Sequence, residues 1–170
     1  MNTKLIAMCA LITVSGCMKQ QPPPDPALTA QRDIEQLFDR WRTAFEARDL
    51  NGVMSVYAPG ARLVAYDLVP PLQFRGAEAY RKDYSEIFAQ FDGPLRVEFP
   101  QVKVEAGADT AFAYGLEHMT GTLKDGTPVD LWWRYTGGLK YVNDHWVIVH
   151  EHVSVPVDMA TGKARMDLKP

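Results

Sequence analysis

The sequence predicts a single α+β domain in which three helices cover one face of a mainly antiparallel sheet. Three observations carry this. Before about residue 92, apolar residues recur at three- and four-residue spacing, as on one side of a helix. From about residue 95 the pattern becomes long β-branched and aromatic runs interrupted by glycine. Two turn signals, Asp125-Gly126 and Asn143-Asp144, divide those runs, and both suit the positive φ of a tight hairpin loop.

The chain has 170 residues, enough for one domain with its own core. Residues 1–16 do not count towards it. Lys4 supplies a positive start, Leu5 to Val14 an apolar stretch too short to span a membrane, and Val14-Ser15-Gly16-Cys17 resembles a bacterial lipobox. Such a signal is cut before the cysteine, and Cys17 is then lipidated. The expected location is the bacterial cell envelope, lipid-anchored at the periplasmic face of the outer membrane, because Met18 and not Asp follows Cys17. Cleavage removes Lys4 from 18 basic residues and none of 21 acidic ones, leaving a net charge of −4. With Cys9 also gone no disulfide can form, and an acidic chain without a basic run argues against a nucleic-acid partner.

Residues 17–28 read as the lipidated cysteine and a proline-rich tether, semi-rigid through Pro22-Pro23-Pro24. The domain is expected over 29–157, with Thr29 as the first N-cap. Ile34, Leu37, Phe38, Trp41, Ala44 and Phe45 form the stripe of the first helix. Asp49 caps a short second helix that buries Leu50, Val53 and Tyr57. Arg62 to Asp67 is a short strand stopped by Pro70-Pro71. Gly76 opens a third helix whose stripe runs from Ala77 through Tyr80, Tyr84, Ile87 and Phe88 to Phe91, with Gly93-Pro94 as its end. Four strands follow, about Leu95–Glu105, Thr110–Leu123, Pro128–Val142 and His145–Val155, and residues 158–170 read as a loose polar tail.

The turns set an expected register. A two-residue loop at Asn143-Asp144 pairs Val142 with His145, Leu139 with Ile148, Gly137 with His150 and Tyr135 with His152. A two-residue loop at Asp125-Gly126 puts His118 opposite Trp133, Leu116 opposite Tyr135 and Tyr114 opposite Gly137. One face then carries Tyr114, His118, Trp133, Tyr135, His150 and His152, with a hollow over Gly137. The other carries Trp132, Val147, Val149 and Val153, with Glu117, Arg134 and Glu151 as a cross-sheet ion network suited to an interface. The map assumes no bulge, although Gly137-Gly138 is where one is expected, and a one-residue slip there flips every assignment beyond it.

The helix-one stripe ending in Phe45-Glu46-Ala47-Arg48-Asp49, then Tyr57-Ala58-Pro59-Gly60-Ala61, Phe74-Arg75-Gly76, and Trp146-Val147-Ile148-Val149-His150-Glu151-His152-Val153-Ser154 resemble the SnoaL-like branch of the nuclear transport factor 2-like superfamily. Ketosteroid isomerase and scytalone dehydratase share that fold. The resemblance covers Leu28 to Val157. It implies a curved sheet wrapped round the three helices as a cone-shaped α+β barrel, a pocket in the mouth of the cone, and a homodimer packed through the outer sheet face. It does not select an activity, since the fold hosts several.

The expected ligand pocket comprises Tyr57, Tyr114, His118, Trp133, Tyr135, His150 and His152, aromatic walls with a few polar tips. His150 and His152 are candidate catalytic bases near neutral pH. Asp67 is a third: in ketosteroid isomerase a carboxylate from this region is the general base, but Ala65 holds the matching position here, and Asp67 also reads as a turn residue before Pro70-Pro71. No metal is expected, because His118 lies about 12 Å from the histidine pair by the register above. No phosphate loop, dinucleotide fingerprint or nucleophile elbow points to a cofactor. The leading expectation is a membrane-anchored module that binds a small, partly apolar molecule without turnover. The alternatives are a cofactor-free isomerase, dehydratase or hydrolase using a pocket histidine or Asp67, with Tyr57 or Tyr135 as donor, and a structural envelope lipoprotein acting through its outer face.

Overall fold

The first helix, α1 (Pro26–Glu46), begins earlier than its apolar stripe suggests. Asp25, not Thr29, is the N-cap: its side chain accepts from the Ala27 N–H at 2.9 Å, and Pro26 sits at the first helical position, where no donor is needed. The computed structural model describes residues 25–170, so the signal segment, Cys17 and the tether up to Pro24 lie outside the described residues. α1 buries Ile34, Leu37, Phe38, Trp41 and Phe45, the stripe read from the sequence. Asp49 caps α2 (Leu50–Met54), accepting from Asn51 and Gly52. β1 (Val64–Tyr66) and β2 (Phe74–Arg75) form a short hairpin, and α3 (Ala77–Phe88) starts from Gly76 at φ 88°. α3 ends sooner than expected. Phe91 already belongs to β3 (Phe91–Glu98), and Gly93-Pro94 lie in an irregularity of that strand.

The expected strand from Leu95 to Glu105 is two, β3 and β4 (Lys103–Ala106), and both pair with β5 (Thr110–Leu123). β6 (Pro128–Val142) and β7 (His145–Ser154) complete a seven-stranded sheet. Its order is β2-β1-β7-β6-β5-β3, antiparallel except for the parallel β1–β7 pair. The sheet curves round the three helices, and α1 fills its concave face. Where the link between β3 and β4 passes over β5, a β-carbon on Gly115 would come within 2.3 Å of the Gln101 carbonyl. Gly115→Ala is therefore expected to cost about 1–3 kcal/mol, read as a lower urea midpoint. An unchanged midpoint would show that the link can move away from β5 there.

Two one-residue slips decide what faces inward. The β6–β7 turn is as expected, with Asn143 and Asp144 at φ 49° and 62° and Leu139 opposite Ile148. Beyond it Gly138 pairs with His150, so Val149 is an extra residue on β7 and a bulge stands at the glycine pair. From there Gly137 faces Glu151 and Tyr135 faces Val153. The β5–β6 loop holds three residues, not two: the Leu123 N–H donates to Thr127 O, the Gly126 N–H donates to Leu123 O, and Gly126 has φ 87°. Glu117 consequently faces Trp133, and His118 faces Trp132.

The inward set on β6 stands, with Trp133, Tyr135 and Leu139 all buried. On β5, and on β7 beyond Val149, the faces are exchanged relative to expectation. Glu117 and Glu151 are buried inside the cone, while Tyr114, His118, His150 and His152 lie on the outer face with the exposed Arg134. The expected Glu117–Arg134–Glu151 network is thus separated by the sheet itself. Of the expected outer apolar set, Val153 turns inward to line the cavity, Val149 is the bulged residue, Val147 keeps its face but is buried, and Trp132 is half-buried. The tail is folded. Val157–Asp158 and Lys163–Ala164 pair as β8 and β9, Lys169 reaches Asp130, and Met166 lies at the lip of the cavity.

Candidate functional site

The cone encloses a cavity of about 400 Å³ between α1, α3 and the sheet. Its walls are apolar and rich in aromatic side chains. Phe38, Trp41 and Phe45 come from one side of α1, Tyr80 and Tyr84 from successive turns of α3, and Trp133 and Tyr135 from β6. Of the expected pocket residues, Tyr57, Trp133 and Tyr135 line it. Tyr114, His118, His150 and His152 do not, because they face the other way.

The polar groups meet at one point. β1 runs parallel to β7 with Ala65 beside Glu151, and Asp67, two residues on, keeps the same face. Tyr80 bridges the two acids: its hydroxyl lies 2.9 Å from Asp67 Oδ2 and in short contact with Glu151 Oε1. The Tyr57 hydroxyl donates to Glu151 Oε2 at 2.9 Å and accepts a hydrogen bond from the Tyr84 hydroxyl at 2.6 Å. Asp67 Oδ1 accepts the Leu68 N–H at 2.6 Å, so this residue both makes the turn read from the sequence and faces the cavity. Higher on the sheet, the Trp133 indole N–H donates to Glu117 Oε2 at 2.6 Å.

These bonds constrain the protons. A tyrosine hydroxyl has one hydrogen, so Tyr80 can donate to only one of the two carboxyl groups. The other must bring its own proton to the contact, and one of Asp67 and Glu151 is a neutral acid in this geometry. Burial gives the same answer. It pushes Glu151 up to about 7, against the opposing pull of the Tyr80 hydrogen bond, with the Asp67 charge adding to the rise. Burial also raises Asp67, despite the bonds from Tyr80 and Leu68 that favour its ionised form. Glu117 is raised well above the carboxylate range by burial and by the neighbouring Glu151 charge. Asp83, on the same helix as Tyr80, is pushed up to about 7 by burial and by the Asp67 and Glu86 charges.

On the outer face, His150 Nδ1–H donates to the Val64 carbonyl at 2.9 Å, and Tyr66 stands edge-on to both His150 and His152. His118 stacks on Trp132 at 4.4 Å, with Nε2 2.8 Å from Asp130 Oδ1. Sequence reasoning missed Glu151 and Glu117 as interior acids, and missed Tyr80 and Tyr84 as anything beyond helix packing. The available signal was a lone glutamate in the apolar run from Trp146 to Val155 opposite a glycine pair.

Residues 34–158 match the family model for a SnoaL-like domain. No curated protein matches the sequence. An NTF2-like protein of unknown function from Pseudomonas putida KT2440 is similar at 35% identity and a TM-score of 0.76, covering 85% of this chain and 99% of that one. A nuclear transport factor 2-like superfamily protein from Salmonella enterica serovar Typhimurium LT2 is similar at 17% identity and a TM-score of 0.70, covering 81% and 99%. A ketosteroid isomerase-like protein from Erwinia carotovora atroseptica SCRI1043 is similar at 21% identity and a TM-score of 0.62, covering 73% and 94%. At these identities the last two show the fold alone.

Proposed function

The chain belongs to the SnoaL-like domain family, and from that premise we propose that its cavity carries out cofactor-free proton transfer on a small, largely apolar molecule, as an isomerase or dehydratase does. One observation carries the reading: two carboxyl groups in an apolar cavity share the hydroxyl of Tyr80. Carboxyls that must divide a proton between them supply one base and one acid at the same pH. Asp67 takes the base role. It sits half-buried on the cavity wall and meets one tyrosine hydroxyl, whereas Glu151 is buried and meets two. Asp67 removes a proton from a carbon next to a carbonyl, and the C–H electron pair moves into an enolate. The proton then returns to a different carbon in an isomerisation, or to a departing hydroxyl in a dehydration. This reading displaces the histidine bases expected from the sequence, which face away from the cavity.

Binding without turnover is the second reading, and the full set of tyrosine bonds on Glu151 favours it. The two separate on one measurement. 2-Tetralone in deuterated buffer, followed by proton NMR, should exchange its α-hydrogens faster with the protein present than without it. The acid limb of that rate should lie above the ordinary aspartate value of 3.8, because burial raises Asp67. Exchange no faster than in buffer, with the ketone bound, would leave the binding module.

The anchor and the dimer belong to the same proposal. Cys17 ties the domain to the membrane on the strength of the lipobox match, and a second copy packs on the outer sheet face. Tyr66, Tyr114 and the half-buried Trp132 on that face support the second part.

A further inference from the structure

Glu117 is the cavity acid for which the shared proton has no use. It is only 3% exposed, and it lines the cavity. Its Oε2 accepts the Trp133 indole N–H at 2.6 Å, while Oε1 has no hydrogen-bond partner among the described residues. That second oxygen is left for a group that arrives from outside.

The strand register sets Glu117 apart from the acid pair. It faces Trp133 on β6, whereas Glu151 faces Gly137 on the same strand, four residues or about 13 Å further along. Tyr135 stands between the two positions. The hollow expected over Gly137 is filled by its phenol, since a β-carbon there would come within 2.3 Å of the hydroxyl oxygen. Glu117 thus belongs to the other part of the cavity, beside Met119 and Leu131.

We propose that Glu117 is a subsite for a cationic nitrogen, and that the cavity takes a largely apolar amine. Charge sets the class. The lining residues include Asp67, Glu117 and Glu151 but no lysine, arginine or histidine, so the lining itself offers these acids no countercharge. The walls agree with the charge. Trp41, Phe45 and Trp133 line the same space, and a cation is attracted to the faces of such rings. Burial and the Glu151 charge hold Glu117 protonated, against the Trp133 N–H, which favours the ionised form. An ammonium at Oε1 tips that balance: the Glu117 proton leaves to water, and a hydrogen-bonded ion pair remains. Besides the three acids, the titratable groups on the walls are Tyr57, Tyr80, Tyr84 and Tyr135, all kept neutral by burial, so none competes for the cation as an anion. The inference rests on the proposed reading of the cavity as a ligand site and supplies the ligand's other end, with the amine at Glu117 and the reacting carbon at Asp67.

The test reads binding apart from turnover, by quenching of Trp41 and Trp133 fluorescence in the full-length protein at pH 7. 2-Aminotetralin, which is protonated at that pH, shares its carbon skeleton with 2-tetralone and tetralin. Wild-type protein should bind the amine at least about tenfold more tightly than either neutral compound. Glu117→Gln keeps an oxygen for the Trp133 N–H but loses the charge. It should bring the amine to within about threefold of tetralin and leave tetralin itself within about twofold of wild type. Glu117→Asp keeps the charge and should keep the amine ahead of tetralin. Wild-type protein without the amine preference overturns the inference. So does a Glu117→Gln protein that keeps that preference in full, or a Glu117→Asp protein that binds tetralin and has lost it. Amine preference without α-exchange of 2-tetralone supports the subsite and counts against Asp67, and exchange without amine preference does the reverse.

Discussion

Asp67→Asn is expected to lower the protein-dependent α-exchange of 2-tetralone by about 10²–10⁴-fold, the usual contribution of a positioned general base, with little change in ketone affinity. Asparagine keeps the shape of the side chain and the oxygen that accepts the Leu68 N–H, so the turn survives. What it loses is the group that shares the Tyr80 hydrogen. His152→Ala and His150→Ala should leave the rate within about twofold, since both rings are separated from the cavity by the sheet. Exchange that survives Asp67→Asn but falls with either histidine variant would reverse the face assignment of β7. The proton-transfer reading would then have to be rebuilt on the other side of the sheet.

The helices and strands were legible because they obey simple periods. Ile34, Leu37, Phe38, Trp41 and Phe45 announce α1 at helical spacing, and Asp125-Gly126 and Asn143-Asp144 mark both hairpins where they occur. The site was not legible, because in a sheet the identity of a face depends on counting. A two-residue loop and a three-residue loop at Asp125-Gly126 fit the same sequence, and each sends Glu117 to a different side of the sheet. Val149 is as apolar as its neighbours, so nothing local marks it as the extra residue. Only Gly137-Gly138 hinted at the slip. Two errors of one residue exchanged the histidines for the glutamates and left the fold intact. The acid pair depends on further contacts that no spacing encodes: β1 lying parallel to β7, and Tyr80 and Tyr84 aimed across the cone from α3.

The acid pair also explains why the cavity is costly to keep. An acid whose folded pKa lies above its unfolded one binds its proton more tightly in the folded chain. For Glu151 the window runs from an ordinary 4.5 to about 7. Across it the folded chain holds more protons than the unfolded chain, so stability falls as pH rises and levels off above 7. At 1.36 kcal/mol for each unit, the loss from this residue is about 3 kcal/mol, an upper value in practice. Asp67, Asp83 and Glu117 are all raised and add the same sign. Wild-type protein should therefore melt lower at pH 8 than at pH 5. Glu151→Gln removes the charge, while its amide can still accept from one tyrosine and donate to the other. At pH 8 it should melt higher than wild type by about 10 °C, and at pH 5 the two should nearly coincide. A variant that is stabilised at pH 8 and inactive in α-exchange has the signature of a functional acid retained at the expense of stability. A flat wild-type profile from pH 5 to 8, or a variant less stable at pH 8, would mean that Glu151 is comfortably ionised where it sits, and the shared proton would be lost with it.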